Sequence, residues 1–441
     1  MVRKSLVQKY PVRRSHLLSS GALLATLALL GCAGQAPNAP YGYTPSSLGA
    51  GPAPAPLAAA GPGIGKTSGN VLLLLPLSGP LAPVGQAMEN AAKLVFPQGS
   101  APSLDIRDTA GTPDGAAAAA QAGIAAGDGM ILGPLTAVET RAVAPLAQKA
   151  GVNMLSFSND TTLAQPGIWP LGITPGQQVR RVVQAAADSG RTQLAALLPD
   201  SDFGHSLATA ISAATASLSE PAPQITFYPQ DFNGLNRAVN QMSDFADRGQ
   251  GLEDQIKAAQ DLGTPAGRLK AHELQHQQIP PPSFNALFIG ATDGNTLAEL
   301  ANFLPYYDVN PPQVQYLGPE IWSTIAPQMA HQSVFLGALY AAPDPAAAAA
   351  FDAKYQTAYG SAPPAIADVA FDGAALAKLA ASSGGYTSTV LTAPAGFTGT
   401  DGVLVLQPDG QVRRGLAVFK IAPGAPVIAS AAPTQLSQPG N

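Results

Sequence analysis

The sequence predicts an α/β protein of two Rossmann-like lobes, parallel sheets flanked by helices, with a C-terminal β-hairpin. Short apolar runs alternate with helical stretches, the order of repeated strand-helix-strand crossovers, and this calls for parallel sheets wrapped by helices. The runs are continuously apolar, as strands covered on both faces must be. After a break from Pro166 to Gly176 the alternation starts again, so a second unit follows the first.

VLLLLPL (Val71 to Leu77) opens the first lobe, and GQAMENAAKLVF is the helix after it. SLDIRDT, an Ala-rich helix from Asp114, GMILGPLT, a helix from Val138 to Ala150, and VNMLSFS complete the unit. The second unit runs TQLAALLP, helix, QITFYP, helix, NALFIG, helix, VQYLG, helix, VFLGALY. The boundaries so read are 70–174 for the first part of lobe 1, 175–340 for lobe 2 with a polar helical insert at 244–282, and 341–391 for the return to lobe 1. In that return, PPAIADVAFDGAALAKLAASS reads as one more amphipathic helix. GVLVLQPDGQVRRGLAVFKI, within 392–422, is a strand pair turned at Pro408-Asp409-Gly410-Gln411, a hairpin signal. The Pro-, Ala-, Ser- and Gln-rich residues 423–441 are expected to form a disordered tail.

Residues 1–32 read as a lipoprotein signal peptide. Arg3, Lys4, Lys9, Arg13 and Arg14 precede the apolar run GALLATLALL, which is too short for a permanent membrane span. The ending LLGC resembles a bacterial lipobox, which implies cleavage before Cys32 and acylation of its thiol. Arg13-Arg14 hints at twin-arginine export, yet His16 stands where an apolar residue is expected. Cys32 is the only cysteine, so intramolecular disulfides and cysteine-based catalysis have no material. Residues 33–69, rich in Pro, Ala and Gly, should form an extended tether. Ala33 after the cysteine resembles the enterobacterial pattern for the outer rather than the inner membrane, so the implied location is the cell envelope, lipid-anchored and facing the periplasm.

Several other chemistries are excluded or weak. A net charge of -5 with only 23 Lys and Arg leaves too little basic surface for nucleic-acid binding. AGPGIGKTSG imitates a phosphate loop, but Ala60 replaces its first glycine and the strand follows the motif instead of preceding it. His272-Glu273-x-x-His276 spells a zinc peptidase motif, with Glu299 as a conceivable third ligand. It lies in the polar insert, however, where nothing would bury the imidazoles, and two exposed histidines is the favoured reading. No G-x-S-x-G elbow occurs, and Asp200 and Asp202 stand at a strand end where one can cap the next helix. The protein is therefore expected to be no enzyme, and no cofactor is expected.

The chain resembles the leucine-binding family of type I periplasmic binding proteins, which includes receptors of ABC importers and penicillin-binding protein activators. PLSGPLAPVGQAMENAA matches the family's S-G-x-x-A-x-x-G turn at Ser78, Gly79, Ala82 and Gly85. GPLTAVETRAVAPLAQKAGVNMLSFSND is similar to the segment that follows, LPDSDFGHSLA to D-x-x-Y-G with Phe203 in place of Tyr, and YLGPEIW to the G-P-E of leucine receptors. The resemblance covers about Asn70 to Ala422 and implies a ligand cleft between the lobes. One rim offers Ser78, Thr136, Ser156, Ser158, Asn159 and Asp160, and the other Asp202, Phe203, Thr292, Asp293, Glu320 and Trp322. Hydroxyls and N–H groups would take a carboxylate, and Glu320 or Asp293 an ammonium. Ala137 and Val138 stand where receptors carry Ser or Thr for the α-carboxylate, and Asp160 would repel one, so the pattern departs from that of a standard amino-acid receptor. The implied partners are a small polar ligand or a cell-wall synthase (a penicillin-binding protein), an ABC permease in the importer version, and the membrane through lipid on Cys32.

Overall fold

The computed structural model describes Gly65–Leu436, which lie in one compact unit. The expected signal segment, Cys32 and the expected tether up to residue 64 lie outside the described residues. The first lobe alternates β1 (Val71–Leu75), α1 (Ala82–Val95), β2 (Leu104–Asp108), α2 (Pro113–Ala126), β3 (Met130–Leu132), α3 (Ala137–Ala150), β4 (Asn153–Ser156) and β5 (Ile168–Pro170). Its strands form a parallel sheet in the order β2-β1-β3-β4-β5.

The second lobe follows with α4 (Pro175–Asp188), β6 (Leu194–Pro199), α5 (Asp202–Ser217), β7 (Gln224–Tyr228), α6 (Phe232–Ser243), α7 (Phe245–Asp261), α8 (Pro265–Gln275), β8 (Ala286–Ile289), α9 (Gly294–Tyr306), β9 (Gln315–Gly318), α10 (Trp322–Met329) and β10 (Leu339–Ala342). The chain then returns through α11 (Pro345–Tyr359) and α12 (Ala367–Ser382), which pack on α1, and α13 (Ser388–Leu391). Strands β11 (Phe397–Gly399), β12 (Gly402–Leu406) and β13 (Val412–Arg414) make a small antiparallel sheet. Strands β14 (Ala417–Lys420) and β15 (Val427–Ser430) join the second lobe, whose sheet runs β15-β14-β10-β9-β8-β6-β7.

The continuous apolar runs work as expected. Every residue of β1 is fully buried, with Val71, Leu73 and Leu75 in the core against α1 and α12, and Leu72 and Leu74 in the core against α2 and α3. Strand β6 divides in the same way, Ala195 and Leu197 to one face and Leu194, Ala196 and Leu198 to the other. Each buried leucine contributes about 1.5–3 kcal/mol, so the two central strands anchor their lobes. The Gly85 and Gly204 of the family-like motifs serve these strands: a Cβ at Gly85 would overlap the carbonyl of Pro76, and one at Gly204 that of Pro199. Only glycine lets each helix start so close to its strand end.

Several expectations need correction. VFLGALY is not one strand: Ser333–Phe335 is a 3-10 turn and the strand begins at Leu339. The sequence reading did not separate β5 or α11. The C-terminal strand pair is turned at 408–411 through β12 and β13, but it breaks at Gly415-Leu416, and Ala417–Lys420 pairs antiparallel with β10 in the other sheet. The tail is not disordered throughout, since Val427–Ser430 pairs with β14 and the Arg181 guanidinium donates to the Ser430 hydroxyl at 2.6 Å. The last tether residues are tied down too: the Tyr386 N–H donates to the Lys66 carbonyl at 2.8 Å and the Tyr386 hydroxyl to that of Gly69 at 3.0 Å.

Candidate functional site

The chain leaves the first lobe's sheet for the second lobe at Leu171–Thr174, leaves the second lobe's sheet for α11 at Pro343–Asp344, and passes from the small antiparallel sheet back to the second lobe's sheet at Gly415–Leu416. Beside these crossings a cavity of about 460 Å³ is walled by Thr136, Ser158, Asn159 and Asp160 of the first lobe, Glu320 of the second, and Asp368 and Asp401 of the returning chain. It sits at the carboxyl ends of β3, β4 and β9, where open α/β sheets present helix N-termini.

On the first rim the polar groups are largely committed to one another. Thr136 caps α3 in a capping box with Glu139, whose carboxylate accepts from the Thr136 N–H at 3.0 Å and from the Thr109 hydroxyl at 2.5 Å. Ser156 is fully buried, shares a 2.7 Å hydrogen bond with the Thr140 hydroxyl, and accepts from the Ser158 N–H at 3.2 Å. Asp160 pairs with Arg141 at 2.5 Å. Burial would raise its pKa, but the Thr162 hydrogen bonds and the Arg141 charge hold it below the usual carboxylate range. Ser78 is exposed in the loop after β1, which Asp108 fixes by accepting from the Leu77, Ser78 and Ala110 N–H groups.

Under this rim lies a junction that sequence reasoning missed. The Arg414 side chain is fully buried, pairs with Asp401 at 3.0 Å and donates to the Leu171 carbonyl at 2.6 Å. Asp372 accepts from the Thr400 N–H at 2.8 Å. Burial, then the neighbouring charges of Asp401 and Asp372, push Asp368 well up, while burial raises Asp372 to about 6 despite the Thr400 bonds. Glu320 is raised by burial and, further, by Asp401. The signal was present: Asp368 and Asp372 stand at i and i+4 in an apolar, Ala-rich helix, so both carboxylates share one helix face.

The second rim carries its own cavity, of about 710 Å³, at the ends of β6, β7 and β8. Phe203, Thr292 and Asp293 line it, with Tyr228, Asp231, Phe232, Glu299 and Ile321, all of the second lobe. Glu320 and Ile321 are consecutive and face the two cavities in turn. Asp293 caps α9, accepting from the Asn295 and Thr296 N–H groups. Asp202 lines neither cavity; it is exposed in the first turn of α5, whose cap is Ser201. Trp322 is core, fully buried with its Nε1 donating to the Ala291 carbonyl at 2.9 Å. A Cβ at Gly318 would overlap its ring, so the glycine of Gly318-Pro319-Glu320 serves packing. Large apolar side chains stand exposed along both rims, Val138 at 53% and Ile366 at 38% on one, Phe232 at 56% and Phe203 and Ile321 at 37% each on the other.

The zinc motif is elsewhere. His272 and Glu273 lie on the exposed side of α8 and His276 is its C-cap, while Ala271 and Leu274 turn inward on α7. The two imidazoles meet edge-on at 4.7 Å, Glu299 belongs to the second-rim cavity, and no metal-holding group of three ligands occurs among the described residues. None of the described helices is long and apolar enough to cross a membrane.

No curated protein matches the sequence significantly. Among solved structures, a protein assigned to branched-chain amino-acid ABC transport in Rhodospirillum rubrum superposes with a TM-score of 0.60 at 17% identity, over 82% of this chain and 99% of that one. The C-domain of LpoA from Haemophilus influenzae, a regulator of PBP1A, gives 0.57 at 17% identity over 82% and 99%. An ABC transporter substrate-binding protein from Sphaerobacter thermophilus gives 0.55 at 16% identity over 82% and 96%. At these identities the likeness concerns the fold, but residues 70–425 also match the profile of a family of periplasmic binding proteins, and to that family this chain belongs.

Proposed function

We propose that the chain is a non-enzymatic, lipid-anchored receptor of the bacterial cell envelope that captures a small polar solute between its lobes. The observation that carries this reading is the pairing of chain crossings, Leu171–Thr174, Pro343–Asp344 and Gly415–Leu416, with cavities on two rims of strand ends. Segments of this kind act as hinges, and closure buries a ligand between the rims. A receptor role implies delivery to an ABC permease, the transport class assigned to the Rhodospirillum rubrum protein. Anchoring through Cys32 places it on a membrane facing the periplasm, and Cys32→Ser should release the protein in soluble form.

The test is thermal unfolding of the purified chain against a panel of amino acids, amines, organic acids and peptidoglycan fragments. A ligand at about a thousand times its dissociation constant stabilises the folded state by about 4 kcal/mol, a shift of several degrees. Scattering should show the liganded chain to be more compact. A panel without any shift, in protein free of carried-over ligand, would sink the receptor reading.

One observation favours a second role, regulation of a cell-wall synthase; the LpoA C-domain, which shares the fold, is a regulator of PBP1A. The polar insert 244–282 folds as the α7–α8 hairpin and exposes Leu262 at 66% and Leu269 at 62%. Stimulation of a purified synthase by the wild type, lost in Leu262→Glu with Leu269→Glu, would support that role over transport.

A further inference from the structure

The second-rim cavity has a charge inventory that the receptor reading leaves unspecified. Asp231, Asp293 and Glu299 line it, and no Lys, Arg or His does. Asp231 and Asp293 also cap α6 and α9, but an ionised carboxylate has about four acceptor sites, so both retain capacity. Glu299 makes no hydrogen bond or ion pair among the described residues. Three aromatic rings, Phe203, Tyr228 and Phe232, complete the wall.

Tyr228 adds a polar group, independent of the carboxylates, that is available to a ligand. The residue is 3% exposed and lines the cavity, and its hydroxyl, which is not closed off from solvent, bonds no described residue. A phenol oxygen at a cavity wall takes its partner from water or from a ligand that displaces the water. Burial, and then the charge of Asp293, hold its proton in place well above the usual tyrosine range, so the oxygen stays a neutral acceptor and donor. What it lacks in the protein it can take from a molecule in the cavity.

Neighbouring charge decides which molecule. Beside the adjoining cavity Arg141 is engaged with Asp160 and Arg414 with Asp401, and that cavity adds the carboxyls of Glu320 and Asp368. A ligand carboxylate would find no free cation there, and like charges in a partly desolvated cleft repel strongly. An ammonium meets carboxylates, a phenol oxygen and aromatic faces, the elements of a cation site.

We propose that this cavity binds an organic cation, a protonated amine on an apolar body, and not a zwitterionic amino acid or an organic anion. The assignment rests on the receptor reading and names the ligand class for it. Carboxylates and the Tyr228 oxygen hold the ammonium, and Phe203 and Phe232 cover the apolar body.

The experiment is isothermal titration calorimetry of the purified full chain with tyramine, putrescine and choline, beside leucine and benzoate. At least one amine should bind saturably, more weakly as salt rises, while leucine and benzoate give no heat of binding. Asp293→Asn keeps a capping side chain and should lower the affinity at least tenfold without changing the melting temperature; Tyr228→Phe should lower it less. Leucine or benzoate binding while the amines are silent would overturn the charge assignment and leave the receptor reading standing. An amine whose affinity is unchanged by both Asp293→Asn and Glu299→Gln would overturn the location. Silence of every probe would overturn the proposal, and silence across the wider panel as well would remove the receptor reading with it.

Discussion

The two rims are built on one plan and differ in what their polar groups have left to offer. Each is the carboxyl edge of a parallel sheet, with a Ser, Thr or Asp at the start of the following helix. On the first rim these residues satisfy each other: Thr136 with Glu139, Ser156 with Thr140, Asp160 with Arg141. On the second, Tyr228 and Glu299 face a cavity without a partner among the described residues. The Ser, Thr and Asp residues at the helix starts are caps on both rims; the rims differ in Tyr228 and Glu299, and it is their spare hydrogen-bonding capacity that marks the proposed binding rim.

The largest test of this contrast is Arg414→Met beneath the first rim. Removing the one cation paired with buried Asp401 leaves clustered carboxyls uncompensated, and should cost about 3–5 kcal/mol in urea unfolding. A cost below about 1 kcal/mol would mean that the junction is not structural.

The pH dependence should follow from the same junction. Asp372, raised by burial from its ordinary value to about 6, holds its proton more tightly folded than unfolded. Its contribution is therefore complete below about pH 4, an ordinary Asp value, and is lost as pH rises through about 6. The raised Asp368 extends the loss to higher pH. Asp368→Asn should leave the melting temperature unchanged in acid and raise it by a few degrees in alkali; an equal change at both ends would refute the assignment.

A smaller effect separates the rims directly. Ser156→Ala removes the bond to Thr140 and the acceptor for the Ser158 N–H, and should cost about 1–3 kcal/mol. Smallest of all, His272→Ala on the exposed side of α8 should change stability by less than about 0.5 kcal/mol, with or without added zinc.

The lobes were legible because continuous apolar runs such as Val71 to Leu75 admit few uses other than a strand covered on both faces. The departure of β14 was not, because QVRRGLAVFKI reads as one strand and only tertiary pairing with β10 breaks it at Gly415. The site was legible as an address more than as chemistry. Strand ends and helix starts pointed to Thr136, Asp160, Phe203 and Asp293, but Trp322 looked equally available until its ring was found packed on Gly318. Tyr228 stood unnoticed at the end of QITFYP, since no local pattern tells a capped polar group from a free one.

The most direct measurement compares Ser156→Ala with Asp293→Asn for both stability and tyramine affinity. The account predicts a crossed result: Ser156→Ala loses stability and keeps its affinity, while Asp293→Asn melts like the wild type and binds at least tenfold more weakly. If Asp293→Asn binds tyramine as the wild type does while Ser156→Ala does not, the division of labour between the rims is the reverse of the one described.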